Sequence, residues 1–508
     1  MDGPSDRAAR DARTAVWPAT PEIEDAVARG GILALEVEIG LSCEGACEYC
    51  RPELAGSTPE RLSHRDLERV LAEARALGAR QVSFVEGDWL GYPHLAELLA
   101  EVDRLQLGLE VRLGSHALEH ELAERLVASR ARIVVDVHGV RDETHDRVAG
   151  HPGSAGRARR TIEELRGRDP GHSSIAVRAR ICRANRDEIE PLWRWVRSLG
   201  LEPWFENAPP RSDDALAGLD DAPPELDDAL AGLDASALEG LFRRLAEVDR
   251  AEFGHEWDPQ PPWPGLRDLR HRYACAVSVS GVVRPAGLLP LPMGDLREHG
   301  LDHVLRESEV MENLRAHATS LKGPCRDCEK LPTCAGSRAV AFALTGDYLA
   351  SDPTCWRNAD RASEIARLPL ALSEHLPQKA PMRFVDALDS VGDRVGECSV
   401  TIRDDLPMAG ANVVDDVAYL EMMAQSMAAL EVFAHLGTGD GGFGGFLVGA
   451  EDLEVFAPAR LGDRLRIRVR KDVRIGKYGI VSGTVLRDEA VLARGNIKIW
   501  RESGIPEP

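Results

Sequence analysis

Between residues 32 and 206 the sequence repeats one unit, a short apolar run followed by an amphipathic stretch, and few folds accept that repeat. The runs fall at 32–39 (ILALEVEI), 80–85, 109–114, 132–137, 174–181 and 201–206. Helical segments such as YPHLAELLAEVDRL, ALEHELAERLVAS and RDEIEPLWRWVRSLG separate them. Six strands alternating with helices predict a parallel α/β barrel or partial barrel. Reactive groups in barrels of this kind collect at the carboxyl ends of the strands. The loop after the first strand carries Cys43, Cys47 and Cys50.

At 508 residues the chain exceeds one core and predicts several domains. Its 62 basic residues against 84 acidic ones give a net charge of -22, which argues against a nucleic-acid partner. No apolar run approaches the ~20 residues that span a bilayer, so no membrane partner is expected. The first 35 residues lack the apolar core of a secretory signal, which predicts a cytoplasmic protein. Clustered thiols in a reducing compartment read as metal ligands rather than disulfides. Cys43-x3-Cys47-x2-Cys50 offers three thiolates, a set that leaves one iron of a cubane open to an outside ligand. Cys325-x2-Cys328-x5-Cys334 with Cys355 offers four, enough to close a structural zinc or a fully ligated cluster. On spacing alone, structural zinc stays open for both groups.

With Tyr49 before its last cysteine, the first group resembles the signature of radical S-adenosylmethionine (SAM) enzymes. GVRDETHDRVAG (139–150), followed by PGSAGRARRTIEELR, is similar to the segment after the family's fourth strand. The resemblance implies a partial (β/α)6 barrel in which Cys43, Cys47 and Cys50 hold a [4Fe–4S] cluster that SAM chelates. It further implies that one electron, from a flavodoxin- or ferredoxin-type donor, cleaves SAM to methionine and a 5′-deoxyadenosyl radical that abstracts a substrate hydrogen. Tyr49 is then expected near the adenine, and Asp88, Arg180 and Asn185 are expected SAM contacts. The chain departs from the family at Glu86-Gly87-Asp88-Trp89, where relatives carry Gly-Gly-Glu-Pro. It departs again at Asp136-Val137-His138-Gly139, where they carry Ser-x-Asp-Gly. Cys182, near the end of the fifth strand, reads as a buried structural cysteine, with a radical-relay thiol as the alternative.

Residues 212–242 contain no Lys or Arg and nine acids, with DDALAGLD at 213–220 and again at 227–234. This composition predicts a solvated helical connector. CAVSVSGVVRPAG, from Cys275, reads as a hairpin turning at Gly281. The order of this hairpin and the second cysteine group resembles the SPASM and twitch extensions of radical SAM enzymes. That resemblance implies one auxiliary [4Fe–4S] cluster on Cys325, Cys328, Cys334 and Cys355. Ala286 stands where a two-cluster domain has a further cysteine, so Cys275 stays unassigned. CAGSRA (334–339) also resembles a stretch of haem-modifying members, with Ser337 in place of their cysteine.

Beyond 370 one apolar helix (MAQSMAALEVFAHLG) precedes four long strands, an α+β pattern. It resembles the hotdog fold of 3-hydroxyacyl-carrier-protein dehydratases. The family's Glu-x-Met-Ala-Gln is present as Glu421-Met422-Met423-Ala424-Gln425, which implies a catalytic Glu421. Its opening Leu-Pro-His-Arg-x-Pro is Leu376-Pro377-Gln378-Lys379-Ala380-Pro381, so Gln378 replaces the catalytic histidine, and His375 is out of register. Glutamine cannot take and return a proton near neutral pH, so thioester binding or homodimerisation through this domain is expected ahead of dehydration. Arg464, Arg466, Arg468 and Arg470 share one strand face in a segment, 460–502, with twelve basic and five acidic residues. That face reads as solvated, or as a dock for an acidic acyl carrier protein.

The expected organisation is an N-terminal tail (1–31), a radical SAM partial barrel (32–211), an acidic connector (212–262), a SPASM/twitch-like domain (263–362) and a hotdog domain (363–508). The expected function is radical hydrogen abstraction from an acyl thioester or carrier-bound intermediate of specialised metabolism. The alternatives are a maturase of ribosomal peptides and a non-catalytic iron–sulfur scaffold.

Overall fold

A computed structural model describes residues 19–40, 61–85, 89–114, 118–168, 175–208, 228–264, 269–407, 409–410, 413–438 and 445–501. The chain divides into two compact units. The first comprises Met1–His317, Glu329–Val340 and Asp352–Asp360, and the second Ala318–Cys328, Ala341–Ser351 and Arg361–Pro508. Among the described residues no helix is long and apolar enough to cross a membrane.

In the first unit the six expected strands form at β1 (Ala34–Glu38), β2 (Gln81–Val85), β3 (Gly108–Leu113), β4 (Arg132–Asp136), β5 (Ile175–Ile181) and β6 (Glu202–Asn207). They pair in parallel and in sequential order. On one face Leu35, Val37, Val82, Phe84, Val111, Ile133, Val135, Val177 and Phe205 are buried. The helices pack amphipathically: Ile189–Ser198 buries Ile189, Leu192, Trp193 and Val196, one stripe at helical spacing. Ser63 caps helix His64–Ala76 in a reciprocal pair with Asp66, which fixes where the chain leaves the loop after β1.

The sheet continues past the barrel strands. β7 (Ala274–Val277) pairs in parallel with β1, and β8 (Val282–Arg284) returns antiparallel to it. The hairpin expected from sequence is therefore present, and Gly281, at φ +91°, makes its turn as only glycine does readily. β9 (Gly294–Asp295) completes the order β6-β5-β4-β3-β2-β1-β7-β8-β9. This sheet ends in two edges, as a partial barrel requires.

The second unit is a seven-stranded sheet wrapped on one long helix, Val417–His435. Its strands are β10 (Leu370–Ala371), β11 (Ala387–Val391), β12 (Val395–Thr401), β15 (Gly445–Val455), β16 (Arg464–Ile475), β17 (Tyr478–Arg487) and β18 (Ala490–Arg501). They lie in the order β10-β11-β12-β16-β17-β18-β15, all antiparallel, and β13 (Ala409–Gly410) pairs separately with β14 (Val413–Val414). Met422, Met423, Met427 and Phe433 of the helix share one core with Leu465, Ile467, Val469, Val481 and Ile497 of the sheet. β11 and β12 have no counterpart in the four strands expected from sequence. They are a hairpin whose tight turn puts Arg394 at φ +61°.

Segment Ala318–Cys328 belongs to this second unit, and Lys322 shows why. Its ammonium is buried 2.8 Å from Asp347, donates to the Phe433 carbonyl at 2.7 Å and stands 4.2 Å from the centre of the Phe433 ring. It thereby satisfies an acceptor near the carboxyl end of the long helix. Removing one partner of such a pair strands the other in a dry interior. Lys322→Met is expected to cost about 3–5 kcal/mol in urea unfolding of this unit, and Lys322→Met with Asp347→Leu to recover much of it.

Candidate functional site

The barrel strands turn a second face inward, and that face is ionic. Glu36 on β1 accepts from Arg112 at 3.1 Å, Arg270 at 3.4 Å and the Gly287 N–H at 2.9 Å. Glu110 on β3, fully buried, meets Arg132 at 3.4 Å and Arg270 at 3.7 Å and accepts from Gln81 and Ser83. Burial pushes both carboxyls up, but the surrounding guanidiniums outweigh it and hold them below the usual carboxylate range. The Trp204 ring lies beneath three of those cations, with Arg270, Arg112 and Arg132 at 4.9, 5.2 and 6.0 Å from its centre. Towards the carboxyl ends, Asp136 takes a bidentate pair from Arg178 at 2.7 and 2.8 Å, and Glu206 meets Arg180 at 3.4 Å. Glu38, the last residue of β1, is ion-paired with Arg284 of β8.

Of the expected cofactor residues, Cys43, Cys47, Cys50, Tyr49 and Asp88 lie outside the described residues. Arg180 lies on the inward face beside Glu206. Asn185 is fully buried, and its amide spans two strand ends. Its N–H groups donate to the carbonyls of His138 and Arg180, both at 2.7 Å, and its oxygen accepts from the Cys182 N–H at 2.9 Å. That arrangement fixes the turns after β4 and β5. His138 stacks on His145 with ring centres 5.4 Å apart, and its Nδ1 accepts from the Arg180 N–H. Burial drives its imidazole down to about 3 in spite of Asp136, so it is neutral in the fold.

The seven described cysteines form no disulfide. Cys182, Cys275 and Cys398 are buried, and burial raises each thiol, the latter two to about 12. Burial thus favours the protonated thiol in all three. Cys325 and Cys328 belong to the second unit, Cys334 and Cys355 to the first. Cys325 donates its N–H to Ser351 Oγ at 2.7 Å. In the first unit the buried Asp352 accepts from the N–H of Ser337 at 2.8 Å and of Thr354 at 2.9 Å, which joins the Cys334 loop to the Cys355 turn. A Cβ on Gly336 would come within 2.7 Å of Asp352, so that approach needs glycine. Among the described residues no group of three or more His, Cys, Asp or Glu side chains is arrayed to hold a metal ion.

In the second unit Glu421 lies on the long helix and accepts from Gln425 Nε2 at 2.7 Å. Gln425, almost fully buried, also donates to the Met382 carbonyl at 2.8 Å and accepts from the Phe384 N–H at 2.7 Å. It fastens the segment after Pro381 to the helix and orients the glutamate, a role its motif alone did not reveal. Gln378 keeps its Oε1 buried with no hydrogen-bond partner. The Arg464–Arg470 row faces solvent as expected, over a buried Leu465, Ile467 and Val469. Arg466 and Arg468 pair with Glu397, and Arg470 with Asp472.

The radical SAM superfamily profile matches residues 37–177, and the ApeP-like profile, described as ApeP dehydratase, matches 370–506. The chain is 26% identical over 337 residues to an AdoMet-dependent heme synthase of Methanosarcina barkeri, covering 63% of this chain and 94% of the relative. It is 25% identical over 346 residues to the PqqA peptide cyclase of Bradyrhizobium diazoefficiens, covering 64% and 86%. Among solved structures, the ApeI:P dehydratase heterocomplex of Xenorhabdus doucetiae matches 26% of this chain and 92% of its own, at 21% identity and a TM-score of 0.25.

Acidification tests the ionic interior. Burial lowers His138, and also His145, His271 and His317, so the unfolded chain takes up protons below about pH 6.5 that the fold refuses. Stability is then complete above that pH and falls as pH drops towards 3. His138→Asn is expected to flatten the decline by about 1.4 kcal/mol per pH unit, read from urea midpoints at about pH 7 and about pH 5.

Proposed function

We propose that this radical SAM enzyme abstracts hydrogen from an acyl group carried as a thioester, and that its ApeP-like domain binds the thioester without dehydrating it. One observation supports this above all: a single chain joins a radical SAM domain to a dehydratase-type domain that keeps the Glu421–Gln425 framework but has Gln378 at the histidine position. Proton transfer by Glu421 alone has no partner able to accept and return the proton, because the Gln378 amide does not titrate near neutral pH.

Cys43, Cys47 and Cys50 would hold the catalytic [4Fe–4S] cluster; three thiols directly after β1 suit a cluster with one open iron. When bound, that cluster and SAM supply a 5′-deoxyadenosyl radical. The chain itself provides a barrel wall of ion pairs around a small apolar patch at Val134, Ala176 and Trp204; Arg180 on that wall, together with Asp88, would orient SAM, and Asn185 fixes the rim at His138. The spacing of Cys325, Cys328, Cys334 and Cys355 alone supports an auxiliary cluster; the described residues array no three of them to hold a metal ion. Tyr49 would lie near the adenine of bound SAM, a flavodoxin- or ferredoxin-type protein would reduce the enzyme, and the reaction would take place in the cytoplasm. Homodimerisation proceeds by edge pairing of β15, which ends its sheet and exposes Leu447 and Val448. A free apolar edge of that kind seeks a pairing strand.

A second reading takes its substrate from the relatives. Likeness to a heme synthase and to a peptide cyclase over more than three hundred residues favours a tetrapyrrole or a peptide in the barrel.

Reconstituted protein is expected to hold about eight iron per chain and to change its electron paramagnetic resonance spectrum when SAM is added. Zinc in place of half the iron removes the auxiliary cluster. Cys50→Ala should abolish 5′-deoxyadenosine formation while leaving about four iron bound. A deuterated acyl group on a carrier protein should pass deuterium into 5′-deoxyadenosine; transfer from a peptide or tetrapyrrole instead overturns the carrier reading. Gln378→His is expected to restore measurable hydratase activity on a 3-hydroxyacyl thioester, and a dead variant would mark the domain as purely binding.

A further inference from the structure

We infer that the hairpin end of the outer sheet face in the second unit docks an acidic, apolar-faced helix of a carrier protein, an inference that rests on the carrier-bound reading above. The strand register sets Ile475 opposite Tyr478, Tyr478 opposite Trp500, and Trp500 opposite Phe446. Directly paired residues point to the same side of a sheet, so these four form one row across β16, β17, β18 and β15. The neighbouring Val481 and Ile497 point the other way and are buried in the core that holds the long helix. The row therefore lies on the face turned away from that helix.

It is nevertheless apolar and open. Ile475 is 70% exposed, Tyr478 58% and Phe446 57%, and Val473, two residues before Ile475, is 48% exposed. Phe446 and Trp500 tilt against each other with ring centres 5.9 Å apart. Three strand spacings make the row about 14 Å wide, a seat for one helix of about 10–12 Å diameter. Scattered exposed apolar residues need no explanation, but a contiguous row of large ones does.

Charge selects the occupant. The Lys477 ammonium lies 5.6 Å from the centre of the Trp500 ring, and Arg474 adjoins Ile475 and donates to the Gly476 carbonyl. Neither makes an ion pair among the described residues. Of the arginines at the far end of the same face, which the sequence offered as the dock, Arg466 and Arg468 pair with Glu397 and Arg470 with Asp472, while Arg464 makes no ion pair among the described residues. Two uncompensated cations thus border the apolar row directly. A second copy seated on the row would bring its own Lys477 and Arg474 to the contact, whereas an acidic helix complements both the charge and the apolar strip.

The test titrates the full-length protein with holo-acyl carrier protein by fluorescence anisotropy. Ile475→Ser and Lys477→Glu, both at exposed sites, are expected to weaken binding about tenfold or more, and Arg468→Glu, at the far end of the face, to leave it within about twofold. Unchanged binding in the first two variants overturns this dock while leaving the carrier reading intact. No binding by the unaltered protein removes that reading, and the dock with it. If Ile475→Ser and Lys477→Glu shift sedimentation from dimer to monomer at unchanged carrier affinity, the row is a contact between copies and the inference is wrong.

Discussion

The first unit depends on keeping charge inside a barrel. Parallel strands covered on both faces are ordinarily apolar throughout, yet here the inward positions carry Glu36, Glu110, Arg112, Asp136 and Arg178. Each isolated charge would cost several kcal/mol to bury. The network persists because no carboxylate lacks a guanidinium and because the Trp204 face takes part of the field of three arginines. Such a network adds little net stability, but it leaves few alternative packings. A barrel wall fixed in this way suits chemistry that must hold a reactive species at one distance from one hydrogen.

The second unit solves a different problem. Its core is conventional, a Met-rich helix against a sheet, and polarity is confined to a few bonds with definite tasks. Lys322 joins an outlying segment to the helix end, and Gln425 ties the entry segment to the middle of the helix. This framework thus stands on Gln425 and not on Gln378, whose buried Oε1 has no hydrogen-bond partner.

The strands of the barrel were legible because β1 and β3 alternate, apolar towards the helices and polar inward, and because short apolar runs recur between amphipathic helices. The hairpin at Gly281 was legible from its turn. β11 and β12 were not, since Asp389, Glu397 and the Gly392–Arg394 turn interrupt their apolar pattern, and tertiary pairing with β16 decides their state. That omission hid a second fact: Glu397 on β12 neutralises the arginine row, so its surface character could not be judged from β16 alone. The ionic interior was equally hidden, because its partners come from strands far apart in sequence. Asn185 is expected from sequence as a SAM contact; its hydrogen bonds to the backbone carbonyls of two turns are visible only in three dimensions.

Arg270 reaches Glu36 across 234 residues of sequence, and Arg284 reaches Glu38 across 246. Part of the counter-charge for the first strand is therefore supplied by chain made long after it. On the ribosome, a nascent polypeptide that stops short of this hairpin holds two acidic groups at its future centre without their full complement. Completion of the first unit's ionic interior thus waits on translation of this hairpin, and the hairpin cannot be regarded as an appendage added to a finished barrel.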